Sequence, residues 1–122
     1  MAKTILVVED DTELQAACKA MLEQFGFIVL QATNGKDGLI QFVQGRPDAV
    51  LLDISMPEVD GVSMLQALRA QESGASTPVI VLTNDGSNLA VHQELNNQVQ
   101  AYFIKSKTSL ETVVAALNKV LP

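Results

Sequence analysis

The chain has 122 residues, of which 48% are hydrophobic and 18% charged, and its net charge is −6. That length suits one domain and not two, and the balance is that of a compact chain rather than a disordered one. The acidic charge argues against a nucleic-acid surface, apolar runs of four or five residues span no membrane, and a single cysteine, Cys18, excludes both an internal disulfide and a cysteine-based zinc site.

Thr4 to Val8 (TILVV) reads as a first strand, and it runs straight into Glu9, Asp10 and Asp11. This opening is too short, and meets acid too soon, for a signal peptide, so a cytoplasmic location is expected. Asp10 or Asp11 can cap the helix that follows. Leu14, Ala17, Cys18, Met21, Leu22 and Phe25 recur there at helical spacing, which places Cys18 in the core, and Gly26 closes the helix. Phe27 to Ala32 reads as a second strand ending in Thr33-Asn34-Gly35. The stretch from Asn34 to Gly38 is expected to be a turn and not a phosphate loop, because neither GxxxxGK[ST] nor GxGxxG is present. Leu39, Phe42 and Val43 mark a short second helix.

Ala49 to Leu52 is a third strand, and it delivers Asp53 at its end. Val62, Leu65 and Leu68 mark a third helix, and Val79 to Thr83 a fourth strand. A fourth helix is expected over Asn88 to Asn96, with only Leu89, Val91 and Leu95 as large apolar residues; His92 within it reads as a surface residue. Ala101 to Ile104 is a fifth strand followed by Lys105. Thr108 and Glu111 have capping-box spacing ahead of a strong final helix carrying Leu110, Val113, Val114, Leu117, Val120 and Leu121. Alternating strands and amphipathic helices predict an α/β fold, a (βα)5 doubly wound five-stranded parallel sheet with helices on both faces. Sites in such sheets lie beyond the carboxyl ends of the strands.

Four of the five strands bring a polar or charged residue to that edge: Glu9 to Asp11, Asp53, Thr83 and Lys105. Two carboxylates ~4 Å apart repel by roughly 4 kcal/mol at an effective dielectric of ~20. Glu9, Asp10 and Asp53 therefore need either a proton or a cation. Oxygen ligands without His or Cys suit Mg2+, and Lys105 supplies a second, fixed positive charge. A carboxylate held between a metal and a lysine faces a site suited to a phosphoryl group, and attack by it would give an acyl phosphate.

ILVVEDD, VLLDISMPEVDG, VIVLTN and YFIKS, in this order across the whole chain, resemble the signature blocks of the response-regulator receiver domain of two-component signalling, of the stand-alone, chemotaxis-regulator-like kind. The resemblance implies the flavodoxin-like strand order 2-1-3-4-5 and a single receiver domain over residues 1–122 with no output domain. It implies that Asp53 accepts a phosphoryl group from a sensor histidine kinase or phosphotransfer protein. Asp10 would hold Mg2+ directly and Glu9 through water, with Asp53 and the backbone carbonyl of Ser55 completing the site. Lys105 would contact the phosphoryl oxygens, Thr83 would turn its hydroxyl toward them, and Tyr102 would change rotamer as a switch. Ser55 and Asp85 would influence how fast the phosphoryl is lost.

Output would be partner binding, to a downstream protein or to a second copy, through the face formed by the fourth helix, fifth strand and final helix. No membrane or nucleic-acid partner is expected. Two departures stand out. Ser106 follows the lysine where the family usually has proline, which leaves the Lys105–Ser106 bond open between cis and trans, and Asn96 to Tyr102 lacks glycine, so Asn96 or Asn97 is expected to take the left-handed conformation. Three other functions compete. A Mg2+-dependent aspartyl phosphatase would carry its nucleophile after the first strand and a cap domain, a flavin carrier would not place acid where the FMN phosphate sits, and a receiver-like module could bind partners without phosphorylation.

Overall fold

A computed structural model describes residues 2–54, 61–83 and 99–121. Five parallel strands, β1 (Thr4–Val8), β2 (Ile28–Ala32), β3 (Ala49–Asp53), β4 (Val79–Thr83) and β5 (Ala101–Ile104), form one sheet in the order β2-β1-β3-β4-β5. The expected 2-1-3-4-5 order is therefore observed. The central strands β3 and β4 are buried along their whole length, and β1 from its second residue, whereas the edge strand β5 is half-buried and β2 only partly covered. This is why the central strands read as unbroken aliphatic runs.

Alternation along each strand divides the core. Leu6, Val8, Val50, Leu52, Val79 and Val81 pack on one side with Phe42 of α2 (Gly35–Gly45) and Leu65 and Leu68 of α3 (Gly61–Ala70). Ile5, Val7, Ala49, Leu51, Ile80 and Leu82 pack on the other with Cys18 and Leu22 of α1 (Thr12–Gln24) and Val113, Val114 and Leu117 of the C-terminal helix (Leu110–Val120). Among the described residues no helix is long and apolar enough to cross a membrane.

Local chemistry sets the helix ends. Asp11 caps α1, its Oδ1 accepting from the amides of Glu13 (3.0 Å) and Leu14 (3.2 Å). Phe25 closes that helix and Gly26 turns away with φ 91, a left-handed value that favours glycine. Three expectations are corrected. The Asn34-Gly35 pair is not a free turn: Asn34 is the N-cap of α2, its Oδ1 accepting from the amide of Asp37 (2.8 Å), so Gly35 to Gly38 form the first helical turn. The last helix is capped by Ser109 and not Thr108, because the Thr108 hydroxyl donates to the carbonyl of Ile104 (2.8 Å) while Ser109 Oγ accepts from Thr112 N (3.2 Å). On α1, Ala17 and Phe25 face solvent, and Gln15 is buried in their stead.

Candidate functional site

The site grows out of strand alternation. Val7 and Leu51 point to the α1 side of the sheet, and so does Phe103, so Glu9, Asp53 and Lys105 continue the same parity two residues on. The register pairs Val8 with Leu52, which leaves Glu9 and Asp53 next in line on neighbouring strands. Asp53 is the last residue of β3 and sits opposite Leu82 of β4. Three charged side chains from three strands thus reach one spot beyond the carboxyl edge.

The distances bear this out. One oxygen each from Glu9, Asp10 and Asp53 lies within 4.8 Å of the others. Lys105 Nζ donates to Asp53 Oδ2 at 3.0 Å and lies 2.6 Å from Glu9 Oε1. The second contact is one of charge: Glu9 Oε1 sits off the line of a hydrogen bond. Glu9 Oε2 accepts from the backbone amide of Asp11 (3.1 Å), tying the side chain to the start of α1. Glu9 and Asp53 are each 2% exposed, and Asp10 stands in solvent beside them.

Burial dominates the electrostatics. It pushes the Glu9 carboxyl up to about 7; Lys105 opposes that shift and Asp53 adds to it. Burial also pushes the Lys105 ammonium down, but its close contacts with Glu9 and Asp53 outweigh this, and the net shift is upward. The lysine is held cationic as the internal counter-charge of two buried acids. The Cys18 thiol, on the buried face of α1, is pushed up to about 11 by burial and then by Glu9, which holds it in the protonated form.

Other expected site residues fall at known places. Thr83 is buried at the end of β4, in register with Ile104, the residue before Lys105. Tyr102 is half-buried opposite Val81 and packs against the cluster that contains α2 and α3. No cis peptide occurs among the described residues, so the Lys105–Ser106 bond is trans, and Lys105–Lys107 forms a single 3-10 turn. Ser55, Asp85, His92, Asn96, Asn97 and the expected helix over Asn88 to Asn96 lie outside the described residues.

The donor set is three carboxylates, hard oxygen ligands without nitrogen or sulfur. Opposite oxygens about an octahedral Mg2+ are ~4.2 Å apart, and the three oxygens lie within 4.8 Å of one another, so a small side-chain adjustment brings them into ligand range. Glu9, Asp10 and Asp53 could therefore hold a hard divalent cation.

A scan against family models matches the response regulator receiver domain over residues 5–118. The chain belongs to that family. Receiver domains are phosphoacceptor signalling domains of two-component response regulators and not conventional enzymes. Among curated relatives, the DNA-binding dual master transcriptional regulator RpaA of Synechocystis is 39% identical over 117 residues, covering 96% of this chain and 48% of its own. The transcriptional regulatory protein PrrA of Mycobacterium tuberculosis is 43% identical over 79 residues, covering 65% of this chain and 33% of that protein. The matched part of the chain thus spans about a third to a half of the length of these relatives.

Solved structures agree on the fold. Chemotaxis protein CheY4 of Vibrio cholerae has a TM-score of 0.90 at 24% identity, covering 99% of this chain and 100% of that one. The receiver domain of sensor histidine kinase PA1611 of Pseudomonas aeruginosa, whose structure has a magnesium ion coordinated in the active site cleft, has a TM-score of 0.86 at 29% identity, covering 98% and 97%.

One polar group escaped the reading of the sequence. Gln15 lies within the apolar stripe of α1, and its side-chain amide Nε2 donates to the carbonyls of Glu9 (3.1 Å) and Ala32 (2.7 Å). Hydropathy gives no signal for it, because what holds Gln15 inside is a pair of acceptor carbonyls, one just past β1 and one at the end of β2.

Proposed function

We propose that this receiver domain is a phosphorylation-dependent switch with Asp53 as the phosphoacceptor. The supporting observation is that Glu9, Asp10, Asp53 and Lys105 converge beyond the ends of β1, β3 and β5. An Asp53 carboxylate oxygen attacks the phosphorus of a phosphohistidine on a sensor histidine kinase or phosphotransfer protein. The new bond is O–P, the bond broken is P–N, and the leaving imidazole nitrogen keeps the electron pair. The Glu9, Asp10 and Asp53 carboxylates, with the backbone carbonyl of Ser55, would hold a Mg2+ ion, which supplies positive charge against the phosphoryl oxygens. The Pseudomonas receiver with its magnesium supports this choice of ion.

Lys105 is the fixed cation of the site. Before transfer it balances Asp53 and Glu9; after transfer, the added phosphoryl charge lies within its reach. Thr83 offers a hydroxyl to the phosphoryl oxygens, and Tyr102 changes rotamer with it as the switch. Output goes to a downstream protein, or to a second copy, through β5, the C-terminal helix and the 88–96 segment. Residues 1–122 act as one receiver domain, in the cytoplasm, without nucleic acid or membrane.

Incubation with acetyl phosphate and Mg2+ should add one phosphoryl per chain, stoichiometrically and with slow decay. EDTA or Asp53→Asn should abolish it. An unchanged adduct in Asp53→Asn contradicts the assignment, and rapid continuous release of inorganic phosphate makes the protein a phosphatase instead.

A further inference from the structure

We infer that Gln15 is a positioning residue for the acidic loop: its buried amide fixes the Glu9–Asp10 peptide plane and so aims the Asp10 carboxylate at the cation it would share with Glu9 and Asp53. The inference deepens the phosphoacceptor reading and rests on it. Glu9 leaves β1 with its amide donating to the carbonyl of Ala32 at the end of β2 (3.0 Å), one step beyond the strand ladder. Gln15 Nε2 then donates to that same Ala32 carbonyl (2.7 Å) and to the Glu9 carbonyl (3.1 Å). Both partners are acceptors, so the amide can only face them with its NH2 group. Gln31 completes the arrangement, its Nε2 donating to Gln15 Oε1 at 3.2 Å.

The backbone of Glu9 is therefore held at both ends, its N–H by Ala32 and its C=O by Gln15. The torsions on either side of the Glu9–Asp10 peptide decide where the Asp10 side chain points. The Glu9 side chain is tied separately to the amide of Asp11, at the cap of α1. Removing the Gln15 donors leaves the Glu9 carbonyl without that partner next to the buried strand end. A buried carbonyl in that condition gains by turning its peptide toward water. Groups that orient metal ligands in this way typically change affinity by about 10–100-fold when removed. A glutamine that only satisfies the core would change stability and leave the affinity of the folded protein alone.

The test is a Mg2+ titration of the full chain by two-dimensional amide NMR, with the Mg2+ dependence of acetyl-phosphate labelling measured beside it. Gln15→Met keeps length and loses both donors. Its Mg2+ affinity should fall by about 10-fold or more, with half-saturating Mg2+ for labelling rising in step and the rate at saturating Mg2+ nearly unchanged. Gln15→Arg, which retains paired N–H donors, should return affinity close to the wild-type value. Gln31→Leu, which removes only the bond that orients the amide, should cause a smaller loss. Wild-type affinity in folded Gln15→Met, or an equal loss in the Arg variant, overturns the inference. Where Gln15→Met fails to fold, unchanged affinity in Gln31→Leu overturns it. A wild-type chain that shows no response to Mg2+ overturns the phosphoacceptor reading itself.

Discussion

Replacing Glu9 by glutamine should remove a pH dependence of stability that the metal-free protein carries. Burial raises this carboxyl from 4.5 to about 7 in the folded chain, with Lys105 opposing and Asp53 adding. Between those values the folded state binds a proton that the unfolded state has lost. Stability must then fall as pH rises through this window, by at most about 1.4 kcal/mol per pH unit and roughly 3 kcal/mol in total. The carboxyl is coupled to Asp53, so the measured midpoint belongs to the pair. The amide that replaces it in Glu9→Gln is neutral at every pH and close in shape to the protonated acid. Urea unfolding in EDTA, followed by far-UV circular dichroism from pH 4.5 to 8, compares the two chains. Groups common to both cancel in the difference. Glu9→Gln should gain on the wild type steadily as pH rises, and the two should converge at the acid end. A difference that stays flat across the range refutes the claim that Glu9 is buried beside Asp53 at the cost of its charge.

Lys105→Met should destabilise the metal-free chain by about 3–5 kcal/mol at pH 8, because it strands two buried carboxylates, at 2.6 and 3.0 Å from the lost ammonium, without their cation. At pH 5 Glu9 is protonated and the loss should be smaller; equal losses by urea unfolding at both pH values would count against the lysine as counter-charge. Gly74→Ala should lower stability by roughly 2 kcal/mol or more, since the new Cβ would press against the backbone carbonyl oxygen of Leu68, which has no rotamer to yield. A thermal midpoint unchanged by that substitution would contradict the tight packing between α3 and the turn at Glu72–Gly74.

The sheet was legible because its chemistry is local. Strands β1, β4 and β5 fall where their aliphatic and β-branched runs begin and end, and a run bounded by acid or lysine tells where a strand delivers its side chain. Asp53 extends β3 by one residue because its backbone continues the ladder while only its side chain is polar. The parity that puts Glu9, Asp53 and Lys105 on one face was also present in the sequence, since each lies two residues past an inward aliphatic or aromatic neighbour. Cap identity was harder. Thr108 and Ser109 both qualify chemically, and the choice falls to Ser109 because the Thr108 hydroxyl is drawn back to the carbonyl of Ile104. Gln15 was not legible at all. A polar residue on an apolar stripe reads as an interruption until two carbonyls, one just past β1 and one at the end of β2, are seen to accept from its amide.

Borohydride reduction of the phosphorylated chain tests the central claim most directly, because hydride converts an aspartyl acyl phosphate to homoserine and so marks the acceptor covalently. After labelling with acetyl phosphate and Mg2+, peptide mass spectrometry should find homoserine at position 53, dependent on Mg2+. Homoserine at position 10 or 11, or a phosphoryl group that resists reduction, would contradict the account.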